Sequence, residues 1–444
     1  MKNRLFIVAC AVNALVVINA THIHAEILAE GKTKIIRSYE EDPSLVLIES
    51  KDDITGGNGA RHDVMSGKAA LATLTNANVF NLLISAGIPV AFKKQIDETR
   101  FLADNCSMIL YEVVIRREAH GSYIRRNTHV PRRQRFPKLI VELYLKTTGQ
   151  VWQNRSIPCD DPFALLVDNR LELYEPSMPV DQQKPFLILD DYPLCDNPAL
   201  FDQIDTIARH TFLVLEKAWQ LAGGCLVDMK IEFGLNQNNE LVVADVIDND
   251  SWRVLDDHGL YIDKQIYRDG ADLDAVTQKY RAVAELTSNF STPQQSIILW
   301  RGSERDSFEP FMQAFKPFAD FCDIHCVTKS AHKEPVASYL TAHKLIQEHP
   351  CSVLVAYVGL SNAAGPMLGA NMSVPVITVP ATYKDNYQDV FSSLNVPSNV
   401  PVMTIIQPAN AILAAVNILA QYNPALYGIL ALQKEQLMQN VVVL

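Results

Sequence analysis

The stretch that most constrains this chain runs from Cys225 to Ile247, CLVDMKIEFGLNQNNELVVADVI. Two apolar-rich runs, Cys225–Phe233 and Glu240–Ile247, flank the polar segment Gly234–Asn239, which predicts strand, turn and strand. Side chains alternate across a strand, so Asp228, Lys230 and Glu232 fall on one face. Asp245 comes near the end of the second strand. A hairpin brings these acids beside one another. Carboxylates clustered around one lysine repel unless a cation sits among them. Mg²⁺ with a nucleotide phosphate meets that need, because it takes oxygen ligands and usually one or two carboxylates. A solvated hairpin face with ordinary surface charges is the other reading of the spacing.

The next residues narrow the choice. Asp248-Asn-Asp-Ser-Trp-Arg253 gathers two acids, an amide, a hydroxyl and an arginine, and Lys264 and Arg268 lie one helical turn apart. Here the sequence resembles the SAICAR synthetase family of purine biosynthesis. Asp-Met-Lys-Ile-Glu-Phe-Gly, Ala-Asp-Val-Ile-Asp-Asn-Asp-Ser-Trp-Arg and Asp-Lys-Gln-Ile-Tyr-Arg look like its motifs. The likeness is closest to the two-domain animal enzymes in which the synthetase is fused to an AIR carboxylase.

Upstream, Gly31-Lys-Thr-Lys34 is a glycine turn with two cations and a hydroxyl. It lacks the upstream glycine of a phosphate-binding P-loop, but such a turn lets backbone N–H groups approach phosphate. The resemblance implies that Gly31, Lys32, Thr33 and Lys34 cover the ATP phosphates. Asp52–Arg61 is glycine-rich and polar and predicts a loop. Gly67-Lys-Ala-Ala leads into a helical pattern, Ala69–Ala86, with Gly87 as its cap. In the family both segments border the substrate pocket. Met108–Ile115 predicts a buried strand joining two lobes, and the resemblance sets Glu112 near the nucleotide ribose. Arg116–Arg126 then concentrates four arginines around Gly121-Ser122 in an acidic chain. Arginine suits a phosphate or carboxylate because it donates bidentately. By resemblance Arg116, Gly121, Ser122 and Arg126 contact substrate, while His120 is structural. A solvated basic face is the plainer reading.

Residues 127–195 predict loops around short strands, with a strand-like run at Lys138–Lys146. Asp202–Gln220 and Ala271–Phe290 predict helices, and Ser291–Gln295 reads as the linker. Beyond it, strands at Ser296–Trp300, Cys351–Val358 and Val374–Val379 alternate with helical stretches. That pattern predicts a parallel sheet covered on both faces, with binding residues at the carboxyl ends of its strands. Those ends resemble the AIR carboxylase family of the CO₂-using animal type: Gly302-Ser-x-x-Asp306, Ser330-Ala-His-Lys333, Ser361-Asn362 and Gly365-Pro366. The resemblance implies that His332 moves protons and Lys333 holds carboxylate or CO₂. Ser303, Asp306, Ser330 and Ser361 then contact substrate. This half also departs from the family. Glu304 and Arg305 replace small residues, Leu360 replaces an arginine, and the segment after Pro380 differs. Lost charge-assisted contacts imply a weakened carboxylase.

The 444 residues allow two or three domains. We divide them into a signal-like extension at 1–25, a synthetase domain at 26–290 and a carboxylase-like domain at 291–444. The fold class is α/β and α+β, a two-lobed SAICAR synthetase-like ATP-binding domain followed by a flavodoxin-like parallel α/β sandwich. A formal net charge of −11 argues against a nucleic-acid partner. The eight cysteines show no zinc spacing, and Cys322 and Cys326 read as core thiols. Lys2 and Arg4 before the apolar run Leu5–Ile18, closed by Ala25, have the layout of a secretory signal. The run is too short and interrupted for a membrane span. ATP chemistry favours the cytoplasm, and secretion is the alternative.

The resemblance as a whole implies a ligase. It activates the carboxylate of carboxyaminoimidazole ribotide as an acyl phosphate with ATP, and the amine of L-aspartate then attacks. Lys32, Lys34, Lys230 and Mg²⁺ on Glu232 and Asp245 neutralise the anions. Lys230 and Asp250 are the expected catalytic pair, and Arg116, Arg126, Ser122, Ser251, Arg253, Lys264 and Arg268 orient the substrates. Aminoimidazole ribotide and CO₂ are the expected ligands of the second half. That family's octamers imply a homo-oligomer. Another ATP-dependent carboxylate–amine ligase, or an exported binding protein reusing the fold, are the alternatives.

Overall fold

The computed structural model describes residues 26–56, 61–147, 149–168, 170–189 and 199–438. The signal-like segment lies outside the described residues. Strands β1 (Ile27–Glu30), β2 (Lys34–Ser38) and β3 (Leu45–Ser50) form an antiparallel meander. β4 (Asp53–Gly56) and β5 (Arg61–Val64) make a two-stranded ribbon where the composition predicts a loop. Polar residues hold it. His62 pairs with Asp53 at 2.7 Å, and Arg61 lies 4.0 Å over the Tyr267 ring. Ile54 is fully buried beneath it.

Helix α1 (Lys68–Ser85) begins where the Asp52 carboxylate accepts from Ala69 N at 2.9 Å, and β6 (Phe92–Gln95) and β7 (Arg100–Asp104) follow. The small-lobe sheet has the order β1-β2-β3-β7-β6.

The second lobe is an eight-stranded sheet built on β8 (Ser107–Glu118), which is followed by the short helix α2 (Ser122–Arg126). Next come β9 (Arg135–Leu145), the small ribbon β10 (Val151–Trp152) and β11 (Arg155–Ser156), β12 (Phe163–Val167), β13 (Arg170–Tyr174) and β14 (Leu187–Leu189). The described part of residues 127–195 is thus short strands joined by loops, as expected, with β9 on the strand-like run. Four of those strands extend the large sheet in the order β14-β13-β12-β9-β8, and β9 starts three residues before the strand-like run. Prolines and acids sit at its turns and on half-buried faces, which hides the alternation.

Helix α3 (Ala199–Leu221) backs the sheet, burying Phe212, Leu215, Ala218 and Trp219 against Met229, Ile231 and Phe233. Each large apolar side chain so buried contributes roughly 1.5–3 kcal/mol. β15 (Cys225–Leu235) and β16 (Leu241–Ala244) form the expected hairpin, in register Glu232↔Ala244 to Leu235↔Leu241. β17 (Trp252–Leu255) pairs with the other end of β15, followed by α4 (Gln265–Arg268) and α5 (Leu273–Thr287). The lobes meet where Ala91 N donates to Val243 O at 2.8 Å and Val243 N to Pro89 O at 2.9 Å.

The second half is β18 (Ser296–Arg301), α6 (Glu309–Phe315), β19 (Asp323–Thr328), α7 (Pro335–Glu348), β20 (Ser352–Val358), α8 (Ala364–Asn371), β21 (Val376–Pro380), α9 (Asp389–Leu394), β22 (Met403–Thr404), α10 (Pro408–Leu419) and α11 (Pro424–Leu437). Its sheet is parallel, in the order β19-β18-β20-β21-β22, as in flavodoxin-like folds. Two findings differ from the sequence reading. Cys326, on the edge strand β19, is exposed and is no core thiol, whereas Cys322 is buried. The last helix, α11, also packs on α3 of the first half, with Ala425 inside the large-lobe core.

Candidate active site

One face of β15 organises the site. Period-2 alternation puts Asp228, Lys230 and Glu232 on it, and the antiparallel registers set their neighbours opposite. Asp228 faces Arg116 of β8 and Arg253 of β17, while Glu232 faces Glu112 of β8. Three charged clusters follow along the strand.

At the Glu232 end, ammonium and carboxylate groups alternate. Lys146 donates to Glu232 at 2.6 Å and Lys230 to Glu112 at 2.6 Å. Lys34, from the small lobe, forms a contact ion pair with Asp245, which follows β16 in the left-handed region at φ 63°. Burial pulls the Lys34 ammonium down to about 8, with Lys146 and Lys230 pushing the same way against Glu232. Burial also opposes the charged form of Lys230, but Glu112 and Glu232 outweigh it and hold its pKa above the ordinary lysine value. Desolvation would raise Glu232, yet Lys146 and Lys230 hold it below the usual carboxylate range. The single lysine among acids of the sequence reading is thus three lysines among three acids. Gly31, Lys32 and Thr33 form the adjoining turn, with Lys32 exposed.

Among the described residues no group of three His, Cys, Asp or Glu side chains could cage a metal. Glu232 and Asp245 still fit Mg²⁺ of the nucleotide-bound kind. Both carboxylates act on Lys34 or contact it, so they converge on one place, and such an ion keeps phosphate oxygens and waters as its other ligands.

At the Asp228 end, guanidinium groups gather. Arg116 donates to Glu142 at 2.7 Å, to Asp228 at 2.8 Å and to the Ser122 hydroxyl at 3.0 Å. Arg126 forms an ion pair with the other oxygen of Glu142 and donates to the Tyr144 hydroxyl at 3.1 Å. Arg253 donates to both Asp228 oxygens, at 3.0 and 2.8 Å. Three guanidiniums against two carboxylates leave the cluster cationic. Arg116 and Arg126 are buried and saturated by protein partners, so Arg253, the most exposed of the three, is the one open to an anion. Gly121, at φ 53° and ψ −123°, holds a backbone conformation that side-chain-bearing residues rarely adopt, and a Cβ there would also press on Arg253 Nη2.

The third cluster is the turn before β17. Asp250 accepts from Lys264 at 2.9 Å and from the Tyr280 hydroxyl at 2.8 Å, and buried Lys68 lies 4.0 Å away. Burial would raise Asp250, but Lys68 and Lys264 bring it down to about 2. Asp248 beside it moves the other way, raised by desolvation and by Asp250. Ser251 spends its hydroxyl inside the protein, donating to Val246 O and accepting from Asp248 N. Arg268 is exposed and donates to Gln265 at 3.4 Å.

The sequence reading missed Glu142, Tyr144, Lys146, Lys68 and Tyr280. Glu142 and Tyr144 share one face of β9 and Lys146 follows its last residue, and their i, i+2, i+4 spacing inside the strand-like run was the available signal. Lys68 and Tyr280 reach Asp250 only through helix packing.

In the second half, Ser303 and Asp306 follow β18, Ser330, His332 and Lys333 follow β19, and Ser361 follows β20. These strands are neighbours in parallel register, Arg301↔Thr328 and Arg301↔Tyr357, so their carboxyl ends converge as expected. His332 and Lys333 are exposed. Leu360 is 73% exposed in the left-handed region, at φ 63°. This group belongs to a different sheet from the three clusters above.

Comparison with known proteins agrees with both halves. The SAICAR synthetase family matches residues 27–154 and 183–286, and the AIR carboxylase family residues 296–440. The probable multifunctional protein ADE2 of Caenorhabditis elegans is 33% identical over 417 residues, 91% of this chain and 92% of that one. The bifunctional phosphoribosylaminoimidazole carboxylase/phosphoribosylaminoimidazole succinocarboxamide synthetase of Drosophila melanogaster is 33% identical over 413 residues, 90% of this chain and 89% of that one. A solved type-2 SAICAR synthetase in complex with ADP is 24% identical with a TM-score of 0.47, covering 61% of this chain and 100% of that one.

Proposed function

This chain belongs to the SAICAR synthetase family and carries an AIR carboxylase family domain behind it; on that premise we propose that it joins L-aspartate to carboxyaminoimidazole ribotide at the expense of ATP. It is an ATP-dependent ligase of purine biosynthesis. The observation that supports the assignment of roles is the order of charge along β15, from three lysines among acids to three arginines around Asp228 and Glu142.

The reaction brings a triphosphate, a carboxylated ribotide and aspartate together, so repulsion between anions is the obstacle. Lys34, Lys146 and Lys230 face the nucleotide phosphates. Glu232 and Asp245 would hold Mg²⁺, which would supply further positive charge to the phosphates. Arg253, backed by Asp228 and Arg116, holds the ribotide anion. Lys264, fixed by Asp250, faces an aspartate carboxylate. Preorganised charge of this kind acts without reorganisation at the moment of reaction.

Leu360 and Glu304 weaken the carboxylase-like half, whose ligands are aminoimidazole ribotide and CO₂. The chain works as a homo-oligomer in the cytoplasm, where ATP is available. N-terminal sequencing of native protein tests that location, and a mature terminus at Glu26 would overturn it. The function itself is tested by coupled ADP release with ribotide, aspartate and Mg-ATP. Release that needs all three supports the reading. Release with another carboxylate but none with the ribotide would overturn it.

A further inference from the structure

The back of the large sheet holds buried charges that the reaction does not use. At Arg117 the β8–β9 ladder breaks. Arg116 stands opposite Ile140, but Glu118 stands opposite Arg135, so the register slips by three residues of β9 there. Buried peptide groups need partners elsewhere. Arg117 Nη1 donates to Phe136 O at 3.1 Å and to Pro137 O at 3.2 Å. Arg209 Nη1 of α3 donates to Leu139 O at 2.6 Å. Leu139 N donates at 3.0 Å to the carboxylate of Glu435. Glu435 belongs to α11 in the carboxylase-like half and is 2% exposed. It also accepts from Arg117 at 3.4 Å and from Arg209 at 3.1 Å.

Helix α11 is built to deliver that side chain. Asn423 caps its start, accepting from Ala425 N and Leu426 N. At Gly428 a Cβ would lie 2.5 Å from Val214 Cγ2 and 3.1 Å from His210 Cδ2, so glycine lets the two helices approach. On the front of the same β8 strand, one residue from Arg117, Arg116 holds Glu142 and Asp228.

We propose that Glu435 is a positioning residue for the ribotide end of the synthetase site, supplied by the carboxylase-like half. It provides the partner that the broken ladder lacks, fixes β9 beside Arg116, and so couples the two halves through α11. The inference rests on the synthetase reading above.

The test uses the full-length chain and the isosteric variant Glu435→Gln, which keeps one acceptor but removes the charge facing Arg117 and Arg209. Amide hydrogen exchange over residues 136–142 and steady-state kinetics are read together. We expect faster exchange confined to that segment, and a KM for the ribotide raised on the order of tenfold with the KM for ATP unchanged. Glu435→Asp should restore part of both. Wild-type exchange and wild-type KM in Glu435→Gln would overturn the proposal. So would a uniform rise in exchange with equal loss for both substrates, since that marks general loosening. If the wild-type chain releases no ADP from ribotide and aspartate, the functional reading fails, and the exchange comparison still decides whether Glu435 holds β9.

Discussion

Lys34 and Asp245 form a contact ion pair across the boundary between the two lobes, one at the start of β2 and the other just past the end of β16. Their pairing brings the glycine turn and the β15–β16 hairpin to one place. In the function proposed above, Lys34 would turn to the nucleotide phosphates and Asp245 to the cation.

Replacing either acid should therefore lower turnover more than stability. Glu232→Gln or Asp245→Asn should reduce kcat by ~10²-fold or more, the scale of lost electrostatic stabilisation. The Mg²⁺ concentration for half-maximal rate should rise. Steady-state ADP release across a Mg²⁺ series measures both. Near-normal turnover at ordinary Mg²⁺ would show that the ion sits elsewhere.

The three arginines should separate by burial. Arg126→Ala leaves Glu142 buried beside only one cation, and losing one partner of a buried pair costs about 3–5 kcal/mol of stability. Arg253→Ala sits nearer solvent and should fold normally. It should weaken ribotide binding roughly ten- to a hundredfold while ATP binding persists. Thermal unfolding and calorimetric titration with each ligand distinguish the two. Equal loss of both ligands in Arg253→Ala would argue that the arginine is structural.

Acid should loosen the contact between the halves. Burial lowers the pKa of His210 to about 4, and its Nε2 has no hydrogen-bond partner under α11. The unfolded chain takes up the proton near pH 6.5, before the folded one does. This contribution to stability is complete above that pH and is lost as pH falls toward 4, on the order of 3 kcal/mol in all. Asp263, raised by burial to about 7, tilts the same range the other way, because the folded state holds its proton longer. The difference in unfolding free energy between wild type and His210→Leu isolates the histidine. It should shrink steadily from pH 6.5 to pH 4.5, and a flat difference would refute the assignment.

The carboxylase-like half should carboxylate aminoimidazole ribotide poorly. His332 and Lys333 are present, but Leu360 cannot bond an anion, and exposed Glu304 adds negative charge near where one would bind. Because α11 packs on α3, the assay belongs in the full-length chain with bicarbonate as the CO₂ source. Leu360→Arg with Glu304→Thr should raise the rate if the defect is one of binding. Ordinary efficiency in the unmodified chain would show that Arg305 or another cation already serves.

Much of this was legible from period alone. The β15–β16 hairpin, α1, α3, α5 and the parallel strands of the second half all carry clean alternation or helical spacing, because each buries one face or both. Within residues 127–195 the run at β9 was legible, while β12, β13 and β14 were readable only as short strands among loops because they are short and half-buried. The β4–β5 ribbon was misread because glycine and polar residues usually signal a loop, whereas here the cross-strand His62–Asp53 contact and buried Ile54 hold it. Within the site, the identities on β15 were readable but their partners were not. Nothing local to Glu142 says that it will hold two arginines, and nothing near Glu435 says that it will bond Leu139.

That last contact reaches back almost 300 residues, and it sets an order on synthesis. The strands of the large sheet leave the ribosome first, with the peptide groups beside Arg117 still lacking their final partner. At translation rates of about 5–20 residues/s, the stretch from the linker to Glu435 takes roughly 10–30 s to make. Through that interval the finished-looking first half carries an open seam along α3, with apolar surface waiting for its cover. The nascent chain therefore has a window in which a chaperone, or a neighbouring copy's own last helix, competes for the place that α11 will take.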